Sequence, residues 1–96
     1  MNEEIEADKQ AIRTNPDDSL AHFNLGNTYS ESGMYKEAIE SCKQAIRINP
    51  DYATAHVNLG VAYVYLNDRG SALEQYKILK SLDSELANQL FNLIYK

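Results

Sequence analysis

The chain repeats itself every 34 residues, and that period constrains its fold more than any other feature. Ala21-His22, Asn24-Leu25-Gly26 and Tyr29 return as Ala55-His56, Asn58-Leu59-Gly60 and Tyr63, each 34 positions later. The match runs on through Ala38 and Ala72, Glu40 and Glu74, and Lys43 and Lys77. Half a copy precedes the first full one: Lys9, Ala11, Ile12, Arg13, Asn15 and Pro16 match Lys43, Ala45, Ile46, Arg47, Asn49 and Pro50. A third copy opens near the end, where Asn92-Leu93 repeats Asn58-Leu59. A period of this length marks one supersecondary unit whose apolar face is buried only by stacking on its neighbours.

Within each copy the spacing is helical. Leu25, Tyr29 and Ser32 share one face, as do Ile39, Cys42 and Ile46. Gly26 and Gly60 stand inside helical stretches, where glycine costs about 1 kcal/mol relative to alanine. Each is expected to let a partner helix come close, with Ala38 or Ala72 facing it. Gly33 and Asn67 suit the left-handed stop that ends the first helix of a hairpin. Asn15-Pro16-Asp17 and Asn49-Pro50-Asp51 separate the second helix of one hairpin from the first helix of the next, because the residue before proline resists the helical region. Asp17 and Asp18 are placed to cap. The pattern predicts six helices near residues 2–14, 18–32, 35–48, 52–66, 69–81 and 84–95.

A 34-residue helix–turn–helix resembles the tetratricopeptide repeat, whose pattern is W-x2-L-G-x2-Y, then A-x3-F, then P. The first full copy reads His22-x2-Leu25-Gly26-x2-Tyr29, Ala38-x3-Cys42, Pro50; the second reads His56-x2-Leu59-Gly60-x2-Tyr63, Ala72-x3-Tyr76, Ser84. The resemblance covers nearly the whole chain. It implies an all-α, right-handed solenoid of antiparallel hairpins forming one domain over residues 1–96. Its expected parts are an N-terminal half-repeat helix (1–18), full repeats at 19–52 and 53–86, and a C-terminal capping helix (84–96).

Composition narrows the function. The 96 residues carry a net charge of −5 and no basic cluster, which argues against nucleic acid. One cysteine, Cys42, allows neither an internal disulfide nor a cysteine-based metal site. It reads as an inert core thiol. No apolar run approaches the roughly 20 residues that span a bilayer, and the acidic start is unlike a signal peptide. No membrane contact and a cytoplasmic setting are expected. There is no glycine-rich phosphate loop, no HExxH and no nucleophile elbow, so neither catalysis nor a cofactor is expected. His22 and His56 read as packed histidines at the family's tryptophan position, with no metal role. Lys9, Lys43 and Lys77, with Arg13 and Arg47, read as an outer solubilising face.

In this family the first helix of each hairpin lines a concave groove. The resemblance places Leu20, Phe23, Asn24, Asn27, Thr54, Val57, Asn58, Val61 and Tyr65 on it, with Phe91, Asn92 and Tyr95 added by the closing helix. Asn24, Asn58 and Asn92 form a ladder of one amide per layer. Each amide has both donor and acceptor for the main chain of a bound segment. Relatives that dock chaperone C-terminal carboxylates use lysines, an arginine and asparagines there. Asn27 and Asn58 match the amide positions, but Phe23, Asn88 and Asn92 occupy the cationic ones, so a dicarboxylate lacks charge-assisted partners. The implied function is to hold an extended or helical segment of a protein partner. The alternative is a self-assembling module. At the N-terminus, Glu4 and Asp8 replace the packing residues Ala38 and Cys42, so no helix is expected before the first. At the other end, Ile94 replaces Gly26 and Gly60. It is expected to block a further repeat and to leave apolar surface that is lightly exposed or meets a second copy.

Overall fold

The computed structural model describes residues 2–96, and side chains from Glu3 onward. Met1, the first residue of the expected half-repeat helix, lies outside the described residues. The described residues form six helices: α1 (Asn2–Thr14), α2 (Ser19–Glu31), α3 (Tyr35–Ile48), α4 (Ala53–Tyr65), α5 (Arg69–Leu82) and α6 (Ser84–Ile94). The expected boundaries hold to within one residue.

The stops work as the sequence implies. Gly33 has φ +75° and Asn67 has φ 61°. After α2, Met34 N–H donates to Tyr29 O at 2.9 Å and Gly33 N–H to Ser30 O at 3.0 Å. After α4, Asp68 N–H donates to Tyr63 O at 2.8 Å and Asn67 N–H to Val64 O at 3.0 Å. Both sets are the paired bonds that satisfy a helix's last carbonyls. Three aspartates start helices: Asp18 accepts from Leu20 N–H at 3.0 Å, Asp68 from Ser71 N–H at 3.1 Å and Asp83 from Leu86 N–H at 3.1 Å. Ser71 also donates its hydroxyl to Asp68 at 2.7 Å. These bonds, the hydroxyl first, hold the Asp68 carboxyl below its ordinary value.

Consecutive helices pack against each other, and α2 also meets α4, as α4 meets α6. Among the described residues the Cα atoms of α1, α3 and α5 stay more than 8 Å from one another. The odd-numbered helices therefore splay on the outside while the even-numbered ones close up inside, which curves the stack. Three apolar clusters fill it in sequence. Ile5, Leu25, Tyr29 and Ala38 make the first; Ile39, Cys42, Leu59 and Ala62 the second; Ala72, Leu79, Ala87, Leu90 and Ile94 the third. Burial lifts the Cys42 thiol to about 12, so it is a neutral core residue. On the N-terminal side, Asp8 takes the place that Cys42 holds in the next layer. It is partly buried and accepts the Thr28 hydroxyl at 2.7 Å, so a polar contact stands where the next layer has Cys42 beside Ala62.

Candidate protein-interaction groove

The inner face is built from α2 and α4. Leu20, Asn24 and Asn27 lie on α2, and Phe23 is partly buried against Tyr52, with ring centroids 5.1 Å apart. Leu20, Asn24 and Asn27 are exposed there. Burial, together with the Asp18 carboxylate, raises the Tyr52 phenol above its ordinary value. On α4, Thr54 and Tyr65 are exposed, while Val57, Asn58 and Val61 are half-buried. Val57 and Val61 also lean on the third core cluster, and they form the apolar floor of the face. Tyr65 stacks on Tyr35 with centroids 4.8 Å apart and planes 6° from parallel. This face has a distinctive chemistry: the side chains placed on α2 and α4 are apolar, aromatic, hydroxyl or amide, and none of those named is charged.

The two histidines stand behind it. His56 is 4% exposed, with its Nε2–H donating to Pro50 O at 2.8 Å and Nδ1 paired with the Gln75 amide at 2.7 Å. His22 makes the equivalent bond to Pro16 O at 2.9 Å but is only partly buried. Both tie a helix start to the proline turn before it. Among the described residues no three His, Cys, Asp or Glu side chains are grouped to hold a metal ion. Nor is any helix long and apolar enough to cross a membrane.

Family models settle what the curved hairpin stack is. A model described as TPR repeat matches residues 26–67, and one described as tetratricopeptide repeat matches residues 9–40. The chain belongs to the tetratricopeptide repeat (TPR) family. No curated protein sequence matches it significantly. Among solved structures, the chain is similar to the TPR2B domain of yeast Sti1 in its pHsp70 complex, with TM-score 0.86 and 24% identity over 95% of this chain and 77% of that one. It is similar to the second TPR domain of human RPAP3 in complex with the HSP70 peptide SGPTIEEVD, with TM-score 0.89 and 24% identity over 96% and 78%. MamA is similar with TM-score 0.80 and 28% identity, over 88% of this chain and 49% of that one.

The third inner helix of this TPR chain departs from repeat phase. In α4 the buried positions are Ala55, His56, Leu59, Gly60 and Ala62, and the same phase in α6 would bury Gln89, Leu90, Leu93, Ile94 and Lys96. Instead Gln89 and Lys96 are exposed and Leu93 is half-buried, while Leu90 and Ile94 are 1% and 5% exposed. α6 is thus turned so that only the side of the stripe equivalent to His56 and Gly60 stays inside. The reason is chemical: Gln89 and Lys96 cannot fill sites made for alanine without burying unpaired polar groups. This turn corrects one expectation. Ile94 leaves no open apolar surface, because it lies in the third core cluster. It is therefore unavailable for contact with a second copy. A Cβ on Gly60 would meet Leu90 Cδ2 at 2.6 Å, so Gly60 admits Leu90 of α6. Gly26 behaves as expected: a Cβ there would meet Cys42 Sγ at 2.9 Å and Ala38 O at 3.4 Å.

Two of the expected site residues on α6 have ring or cation partners on α5. Phe91 and Tyr95 are exposed, but their ring neighbours lie on the α5 side: Phe91 meets Tyr76 at 5.2 Å, and Arg69 lies over Tyr95 at 5.4 Å. Asn92 is exposed on α6. The signal that reveals the turn was present in Gln89 and Lys96, the polar residues at two alanine sites.

Proposed function

We propose that the chain is a protein-interaction module that holds a peptide segment of a partner along the inner face of α2 and α4. Leu20, Phe23, Val57, Val61 and Tyr65 supply apolar contact. Asn24, Asn27, Asn58 and Thr54 pair with the segment's main chain. The observation that carries this reading is the closure of the inner helices against each other while the outer ones splay. It produces a concave face of uncharged side chains in a chain of net charge −5. The full repeats at 19–52 and 53–86 each contribute one inner helix, and the setting we assign is cytoplasmic.

Solved neighbours of the fold were captured with chaperone peptides, including SGPTIEEVD on human RPAP3 and SRMEEVD on Spaghetti. Those peptides are acidic at their C-termini. Phe23, Asn88 and Asn92 stand where a carboxylate clamp needs cations, so the groove of this chain fits a neutral or weakly polar segment better than an acidic tail.

Capture from a lysate of the source organism tests the proposal, comparing wild type with Asn24→Ala/Asn58→Ala. Circular dichroism checks that both are folded. A partner held by wild type and lost by the double variant, with affinity down roughly tenfold, supports the groove. Equal capture by both removes it.

A further inference from the structure

The turn of α6 assembles a second surface that the groove does not use. Along the seam of α5 and α6 runs an aromatic strip. Tyr76 meets Phe91 with centroids 5.2 Å apart, and Phe91 meets Tyr95 at 4.8 Å. A cation lies over each end: Arg69 is 5.4 Å from the Tyr95 ring and Lys80 is 5.4 Å from the Tyr76 ring. Phe91 is 41% and Tyr95 51% exposed, so the middle of the strip is open to solvent. Arg69 and Lys80 are eleven residues apart on one helix, about 16 Å at 1.5 Å per residue. That distance is the reach of about five extended residues.

Charge identifies what such a strip accepts. Residues 69–96 carry four Lys or Arg and three Asp or Glu, against five and eleven in residues 1–68. The acidity of the chain therefore lies outside the α5–α6 segment. At the Arg69 end the strip borders a cavity of about 470 Å³ that Lys96 also lines and no Asp or Glu does. The other ring pairs, Phe23 with Tyr52 and Tyr35 with Tyr65, have no cation over them among the described residues.

We infer that this strip docks a short acidic segment of a partner protein, one with an aromatic or aliphatic centre flanked by carboxylates. The apolar centre lies on Phe91 and Tyr95, and the flanking carboxylates meet Arg69 and Lys80. Each cation is already held over a ring, so pairing it with a carboxylate requires little new ordering. The site is independent of the groove, and one chain can hold two segments of different charge.

The test titrates a labelled acetylated peptide amide, Asp-Glu-Leu-Phe-Glu-Asp, into wild type, and compares it with a peptide in which glutamines replace the four acids. Expected is saturable binding of the acidic peptide, weaker binding of the neutral one, and a loss of roughly tenfold in Arg69→Glu/Lys80→Glu. Phe91→Ala weakens both peptides. Both cations and Phe91 are exposed, so these variants fold, and circular dichroism checks it. The groove variant Asn24→Ala/Asn58→Ala binds as wild type does, which separates this site from the one proposed above. The inference is overturned if the two peptides bind alike, if no binding is seen at millimolar peptide, or if the groove variant abolishes it. It is also overturned if peptide fails to bind while light scattering finds a concentration-dependent dimer dissolved by Arg69→Glu/Lys80→Glu. That result would give the strip to the acidic α1 of a second copy.

Discussion

Gly26 and Gly60 occupy the same position of two successive repeats, and their surroundings differ. Gly26 is covered from within its own hairpin, by Cys42 and Ala38 of α3. Gly60 is covered from the next helix along, by Leu90 of α6. In the first layer Cys42 is small enough to stay inside. In the second, its counterpart Tyr76 turns out to meet Phe91. Equal backbone phase therefore does not imply equal packing. A bulky residue at one repeat position moves the burden of filling the core to the neighbouring helix.

The largest expected effect is at Leu90. It is 1% exposed and packs on Gly60, so Leu90→Ala should cost about 2–5 kcal/mol in urea unfolding. Cys42→Ala removes a single buried atom and should cost only about 1 kcal/mol. Similar costs for the two would mean that the layers are packed alike. Next comes the coupling between Gly60 and Leu90. Gly60→Ala puts a methyl 2.6 Å from Leu90 Cδ2 and should cost about 1–3 kcal/mol through overpacking. In a Leu90→Ala background the same change should become neutral or stabilising, because the methyl fills space and alanine favours helix by about 1 kcal/mol. Gly26→Ala should show no coupling to Leu90. A double-mutant cycle reads both.

The six helices are legible in the sequence because their punctuation is local. Gly33, Asn67 and the two proline turns each act on a few backbone groups, and each stop lies where those residues imply. The core positions Leu25, Tyr29 and Leu59 of α2 and α4 are legible for the same reason, since both copies keep phase. The orientation of α6 is legible in part: the apolar stripe of Leu86, Leu90, Leu93 and Ile94 implies that Leu90 covers the preceding hairpin, as it does, but not that Ile94 is buried. Matching Asn92-Leu93 to Asn58-Leu59 sets a phase from two identical residues, whereas burial is decided by the whole stripe. Leu86, Leu90 and Ile94 outweigh a stripe that would bury Gln89 and Lys96. Weighing polar cost at each packed position would have found the turn.

Two smaller contrasts sharpen the comparison. His56 is buried with both ring nitrogens paired, and His22 is partly exposed with one bond, to Pro16 O. His56→Ala should cost about 2–3 kcal/mol, leaving Gln75 without its partner, and His22→Ala about 1 kcal/mol or less. Thermal melts of the two variants decide it, and equal losses would contradict the difference in burial. The smallest effect is at the α5 cap. Because the folded Asp68 carboxyl is held below its ordinary value, its contribution is present above the unfolded value of about 3.9 and is lost as pH falls through the folded one. Asp68→Ala should therefore melt below wild type at neutral pH and approach it in acid. A gap that stayed constant would mean that the cap does not depend on the charge.

The turn of α6 decides which residues belong to the groove and which to the strip, so its orientation is the quantity to measure first. In a Cys42→Ala background, Gln89→Cys and Leu90→Cys are labelled with a thiol reagent under native conditions. Gln89→Cys should react as freely as in denaturant, while Leu90→Cys should be slowed by about a hundredfold or more. Protection at 89 equal to that at 90 would put α6 back in repeat phase, return Phe91 and Tyr95 to the groove, and dissolve the second surface.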